Sequence, residues 1–464
     1  MISFLRCLLF PLMYHRSGEG RGGIFMHFSR QLLPAMAFIT IVAGSASAQQ
    51  GDGGEPKKTD CPTALPAGAE CFAGQDTQGA YYWIAKPKNW NGTLVVHAHG
   101  GPRAAKPQAD DPVEDLTRFA VTVQEGYAWA GSNYRRQGYG VRMAAEDTDS
   151  VRRIAIQQLG KPKHVLLHGQ SWGGNVAAKT AELYALDWQG RKNYDGVVLT
   201  SGLLAGGSRG YDFRADLRAV YQYYCKNHPR ADEVQYPVWQ GLPKGVTMKR
   251  DELEKRVNEC TGLALAPNER TAQQSRNLKN ILAVTKVPEK TLVAHLSWAT
   301  GLFSDIVWRR MDGKNPFDNS KVTYTGSDDD TALNKGVERF EANPDARRAM
   351  AYDADLTGQI VLPTITLHAV NDPTVFVDHE AIYRQTVEEA GNSELLVQNF
   401  SDEAEHSKLS TPQYAALFTA MLTWIEEGKK PTKQSVALLC EGKRKIYDEA
   451  CKLLPDYEPK LPAE

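Results

Sequence analysis

The run His164-Val165-Leu166-Leu167-His168 leads directly into Gly169-Gln170-Ser171-Trp172-Gly173-Gly174, and a helical pattern follows over 176–186. A short apolar run of that kind suits a strand buried on both faces. A strand that becomes a helix this abruptly needs a tight turn, with small residues where the turn passes its neighbours. Gly169 and Gly173 stand two before and two after Ser171. The pattern G-x-S-x-G in this setting predicts a strained turn that lifts the serine hydroxyl above the edge of an α/β sheet. A Gly-rich turn of the nucleotide-binding kind would need G-x-G-x-x-G after the strand, and the sequence has none there.

The same alternation extends along the chain. Strand-like runs occur at 81–85, 93–98, 195–200, 363–368 and 394–400, and helical spacing at 144–159, 378–390 and 412–427. Strands alternating with helices predict a mostly parallel, doubly wound sheet. The rhythm stops near Gly202 and resumes near Pro363. The stretch between is rich in charge, Tyr and Trp, and reads as irregular helices inserted between sheet strands, as a lid or cap. The expected organisation is a core over 78–203 and 360–428, a lid over 204–359, an N-terminal extension over 49–77 and a C-terminal tail over 429–464. The start of the extension, 49–59, is polar and Gly-rich and is expected to be loose.

A serine hydroxyl is a weak nucleophile until a base, itself held by a third group, takes its proton. In sheets of this kind the order along the chain is Ser, then Asp or Glu, then His. Asp372 follows the run 363–368, and His406 follows the run 394–400. Both fall in loops at the carboxyl ends of consecutive strands, where ligand-facing residues of parallel sheets collect. Ser171, His406 and Asp372 are therefore the expected nucleophile, base and orienting acid. Asp353 and Asp355 precede their strand, His379 sits at a helix start, and His168 and His368 lie within strands as core or supporting histidines. The turn His99-Gly100-Gly101-Pro102 follows the run 93–98. Pro102 has no N–H, so Gly101 is the favoured donor to a developing oxyanion, with the N–H of Trp172 as the second. His97 and His99 share a strand face as a conceivable metal pair, but no third ligand is evident nearby, and no metal or cofactor is expected.

The first 48 residues read as an address rather than as fold. Met26 to Arg30 ends in a positive charge, 32–44 is apolar but too short to span a bilayer, and Ser45-Ala46-Ser47-Ala48 supplies a cleavage site before Gln49. Met26 is the expected true start. Of seven cysteines, Cys7 lies in this segment, leaving Cys61, Cys71, Cys225, Cys260, Cys440 and Cys451. An even number in an exported chain reads as disulfides, and the sequence-local set 61–71, 225–260 and 440–451 is the expected pairing. A secreted or periplasmic location follows. A net charge of −1 gives no reason to expect nucleic acid as a partner, and no apolar run is long enough for a membrane span.

These motifs together resemble the α/β-hydrolase-fold serine hydrolases. His99-Gly100-Gly101-Pro102 with Ser171-Trp172-Gly173-Gly174 also resembles the proline-iminopeptidase-like branch, though Arg103 stands where that branch usually carries another glycine. The layout is similar to secreted esterases with an inserted lid, including those acting on aromatic acid esters. The resemblance implies acyl-enzyme cleavage of a small carboxylic ester, with an N-terminal exopeptidase as the alternative and a non-catalytic binding protein as a third reading. Tyr221, Tyr223, Tyr224, Trp239, Trp298, Phe303 and Trp308 are candidates for an apolar or aromatic acyl pocket. Asp328-Asp329-Asp330, Glu252 and Glu254 are candidates for binding a substrate amine or a cation.

Overall fold

The computed structural model describes residues 54–461. The expected address segment, its cleavage site, Met26 and Cys7 lie outside the described residues. Among the described residues nine strands form one sheet. They are β1 (Lys57–Thr59), β2 (Glu70–Gln75), β3 (Tyr81–Lys86), β4 (Thr93–Ala98), β5 (Ala128–Ser132), β6 (His164–Gln170), β7 (Gly196–Thr200), β8 (Thr364–Ala369) and β9 (Leu396–Ser401). Their spatial order is β1-β2-β3-β5-β4-β6-β7-β8-β9. From β5 to β9 all neighbours are parallel, and β1, β2 and β3 continue the sheet antiparallel.

The central strands are apolar on both faces because helices cover both. Leu94 and Val96 of β4, Val165 and Leu167 of β6, and Val197 and Leu199 of β7 point into one core. Their intervening neighbours Val95, Leu166 and Val198 point into the other, beneath Phe418, Met421 and Trp424 of the helix Thr411–Glu427. The period-2 alternation thus feeds two cores, which is why these strands read as unbroken apolar runs.

Three features depart from the sequence reading. The extension is not loose throughout, since Lys57–Thr59 pairs with Cys71–Ala73 as an edge strand. β5 carries no strand signal, because Ala128-Trp129-Ala130-Gly131-Ser132 is mostly small residues. Its glycine is small for a packing reason: a Cβ on Gly131 would lie 2.4 Å from the Trp129 ring. The tail forms the helix Lys433–Tyr447, whose Val436 joins the core under Thr411–Glu427.

Between β7 and β8 the chain builds an insertion of helices. Its longest are Asp212–Cys225, Arg250–Thr261 and Ala272–Thr285. A further helical stretch from Leu292 to Arg310 contains two π turns, Trp298–Leu302 and Ile306–Arg310. The insertion's apolar side chains are continuous with the core on one sheet face, so the two share buried surface. Disulfides join Cys61 to Cys71, Cys225 to Cys260 and Cys440 to Cys451. Cys225–Cys260 closes the longest of these loops, with a sequence separation of 35. Loop closure of that length is worth about 4 kcal/mol in the chain-entropy account. Replacing both cysteines by serine is expected to lower stability by about that much, read as a shift in the denaturant midpoint.

Candidate active site

Ser171 sits between β6 and the helix Trp172–Tyr184, at φ 59° and ψ −126°. A side chain with a Cβ is rarely found there, and the surroundings must hold it. They do so by leaving no room to relax. A Cβ on Gly169 would lie 2.1 Å from the Gly173 carbonyl, and one on Gly173 would lie 2.1 Å from the Ala98 carbonyl. The Ser171 N–H donates to the Thr200 carbonyl of β7 at 3.0 Å, and its carbonyl accepts from Gly174 and Leu203.

The three residues singled out by order and loop position meet at one point. His406 Nε2 lies 2.8 Å from Ser171 Oγ, and His406 Nδ1 lies 2.7 Å and 3.0 Å from the two oxygens of Asp372. With Nδ1–H donating to the carboxylate, the Nε2 lone pair faces the serine hydroxyl. Asp372 follows β8 and is buried. Its Oδ1 also accepts the N–H groups of Thr374 at 2.8 Å and Val375 at 3.0 Å. Burial works against its charge, but His406, His368 and these N–H groups outweigh burial and hold its pKa below the usual carboxylate value. The loop carrying His406 is tied down from two sides, by Arg118 on the Ser407 carbonyl at 2.9 Å and by Lys290 on the Ala404 carbonyl at 2.9 Å.

Behind Asp372 lies a pair that sequence reasoning resolved only in part. His368 is fully buried, with Nε2 2.8 Å from the Val375 carbonyl and 3.7 Å from Asp372 Oδ2. Its Nδ1 lies 3.4 Å from Oε1 of Glu380, which is equally buried. Glu380 Oε2 accepts from Thr366 at 2.7 Å and Gln398 at 2.6 Å. Burial alone would depress His368, but Glu380, Asp372 and the Val375 carbonyl push its pKa up.

On the other side of the serine, Gly101 has φ 76° and open space around it. Among the described residues its N–H has no acceptor, and that of Trp172 is the first of its helix and has none within it. Asp115 lies beneath this turn. Its Oδ2 is 2.5 Å from His99 Nδ1 and 3.3 Å from His97 Nε2. His97 Nδ1 is in turn 3.0 Å from His168 Nδ1. The His97–His99 pair therefore shares a buried carboxylate, and among the described residues no group of three or more His, Cys, Asp or Glu is arranged to hold a metal.

The rival residues are engaged elsewhere. Asp353 accepts the Val141 N–H, Asp355 that of Ser208, and His379 Nδ1 that of Ala205. Of the candidate aromatics, Trp298 and Trp308 line a cavity of about 680 Å³ that also includes Pro102, Arg103 and Gly138. Tyr221 and Phe303 are instead fully buried in the insertion's core. Tyr223, Tyr224 and Trp239 pack against that core and are not part of the cavity wall. The candidate acids are taken up inside the insertion. Asp328 pairs with Arg276, Glu252 with Arg256 and Glu254 with Arg250. Asp329 caps a helix through the Ala332 N–H, and Asp330 accepts from Ser327.

No family model and no curated protein matches the chain. Among solved structures, an esterase from Aspergillus oryzae is similar at 15% identity and a TM-score of 0.42, covering 82% of this chain and 86% of that one. Feruloyl esterase B from Aspergillus oryzae is similar at 16% identity and 0.39, with the same coverage. An esterase of the bacterial hormone-sensitive lipase family is similar at 14% identity and 0.37, again covering 82% and 86%. At these values the chemistry has to be read from the geometry of the site itself. The strand order, the serine on its strained turn, and the acid and histidine after β8 and β9 are the arrangement of an α/β-hydrolase fold.

Proposed function

We propose that the chain is an exported serine hydrolase that cleaves carboxylic esters through an acyl-enzyme on Ser171. The observation that carries this is the unbroken contact from Ser171 Oγ to His406 Nε2 at 2.8 Å, and from His406 Nδ1 to Asp372 at 2.7 Å. His406 takes the serine proton as Oγ attacks the carbonyl and returns it to the leaving alcohol. Water then repeats the cycle on the acyl group. Asp372 fixes the Nδ1–H tautomer and stabilises the imidazolium as it forms. The N–H groups of Gly101 and Trp172 receive the oxyanion. The disulfides support export, since such bonds persist in oxidising compartments.

An ester is favoured over a peptide because the acids singled out as candidates for a substrate amine are already bonded within the insertion. Among the described residues the one carboxylate on the cavity wall, Asp305, accepts the Tyr139 N–H at 2.8 Å and is flanked by Arg309 and Arg310. The test is initial rates on p-nitrophenyl esters beside aminoacyl p-nitroanilides. Ester turnover without anilide turnover is the expected result. Anilide turnover that requires a free amine would replace this reading with the exopeptidase.

A further inference from the structure

The first turn of the helix Asp212–Cys225 buries a charge that no carboxylate among the described residues pairs with. Arg214 is 3% exposed. Its Nε donates to His295 Nδ1 at 3.2 Å and its Nη2 to the Thr374 carbonyl at 3.3 Å. Both acceptors are neutral. His295 Nε2–H donates to the Pro373 carbonyl at 2.8 Å, which leaves Nδ1 a lone pair. Burial and the Arg214 charge hold the His295 pKa down at about 3. The rest of the guanidinium is walled by rings, with its carbon 4.6 Å from Phe213, 4.8 Å from Trp298 and 5.6 Å from Tyr211 by centroid. Among the described residues no carboxylate pairs with Arg214, and its Nη1 donates to none of them. Burial draws its pKa down to about 10, so the group is still a cation at neutral pH.

A buried cation without a paired anion is expensive, and an anionic ligand is one way to offset that cost. The position of Arg214 says which ligand that is. Tyr211, on one side of it, packs 5.9 Å from Tyr139, which lies 6.4 Å from Trp172, the residue after Ser171. Thr374, on another side, donates its N–H to Asp372. Trp298, on the third, is part of the wall of the 680 Å³ cavity that the oxyanion turn also borders. Two side chains, Tyr211 and Tyr139, thus stand between the guanidinium and the serine turn, Thr374 joins it to the aspartate turn, and Trp298 stands between it and the cavity. At the cavity wall Lys244 adds a second cation that has no acid partner among the described residues.

We propose that Arg214 anchors a carboxylate of the substrate, so that the natural ester is an anionic one carrying a free carboxylate beyond the scissile bond. This rests on the ester-hydrolase reading of the same site. A guanidinium grips a carboxylate through paired N–H groups, and the aromatic walls exclude the water that would screen the pair. Lys244 adds attraction on the way in.

The experiment compares matched esters on the wild-type chain, Arg214→Met and Arg214→Lys. Mono-p-nitrophenyl glutarate against p-nitrophenyl pentanoate places the charge on the acyl side. 4-Acetoxybenzoate against its methyl ester places it on the alcohol side. The wild type is expected to prefer the carboxylate member of one pair. Arg214→Met is expected to reduce that ratio of kcat/KM by about 10- to 100-fold, the range for a lost charge-assisted hydrogen bond. Arg214→Lys keeps the charge without the fork and should fall between. A wild type without preference in either pair overturns the proposal. So does an Arg214→Met that lowers both members of a pair equally, because that marks a group that only holds the Asp372 turn. Binding of glutarate and 4-hydroxybenzoate to the Ser171→Ala chain, by calorimetry, separates the two readings. If no ester is turned over but one of these acids binds and Arg214→Met abolishes it, the carboxylate site stands without the hydrolase. If neither acid binds, the site falls whatever the esterase result.

Discussion

Ser171→Ala is expected to lower ester turnover by about 10⁴- to 10⁶-fold and to leave a residual rate above that of water. A residual rate remains because the rest of the machinery stays in place. The N–H groups of Gly101 and Trp172, proposed to receive the oxyanion, are untouched, and His406 is still held by Asp372 at 2.7 Å. What vanishes is the covalent route, since no other hydroxyl lies in contact with His406 Nε2 among the described residues. Ser171→Gly separates chemistry from folding. At φ 59° and ψ −126° a Cβ is strained and glycine is not, so the glycine variant should be as inactive as the alanine one but more stable, by about 1 kcal/mol. A rise in melting temperature with loss of turnover is the expected pair of results. A fluorophosphonate label should attach to the wild type at Ser171 and to neither variant. Wild-type turnover by Ser171→Ala would remove the serine from the mechanism altogether.

The meeting of Ser171, Asp372 and His406 was legible in the sequence because each is positioned by the strand before it. Ser171 lies between an apolar run and a helix, and Asp372 and His406 lie just after two more runs. The alternation of the sheet itself puts such loops on one edge. The chemistry that supports them was not legible, because it depends on contacts between distant segments. Asp115 meets His97 and His99 from a helix 16 and more residues away, and no spacing rule joins a strand pair to such a helix. Glu380, in the first turn of the helix Asp378–Glu389, reads in sequence as an acid at a helix start. Arg214 stands in a helix full of charged residues and reads as part of a solvated face, yet it is buried. The strand β5 escaped for the opposite reason. Small residues there make room for one indole, and periodicity senses bulk rather than the space reserved for it.

Glu380→Leu is expected to cost about 3–5 kcal/mol, the range for removing one partner of a buried ion pair. The direction follows from where the protons must sit. His368 Nε2 donates to the Val375 carbonyl, so a neutral ring would turn a bare Nδ1 lone pair toward the Glu380 carboxylate 3.4 Å away. A proton on Nδ1 converts that repulsion into attraction, and this is why the His368 pKa is raised against burial. A group whose folded pKa is raised contributes stability that is fully present below its unfolded value, about 6.5 for histidine. That stability is lost as pH rises through the folded value. The wild-type chain should therefore lose stability as pH rises above the ordinary histidine value of about 6.5, where the pair discharges. Glu380→Gln keeps the shape and the contacts with Thr366 and Gln398 but not the charge, so its stability should be flatter over the same window. Denaturant midpoints measured from pH 6 to pH 9 distinguish the two curves. Parallel curves would mean that His368 is neutral throughout. The consequence reaches the proposed catalytic residues, because His368 Nε2 lies 3.7 Å from Asp372 Oδ2 and a proton on that ring helps hold the carboxylate's pKa down. In Glu380→Gln the His368 proton is held less firmly, and Asp372 should bind a proton more readily. Its ester turnover should accordingly decline at a higher pH on the acid side than in the wild type. A variant with altered packing alone would lose turnover at every pH in equal proportion.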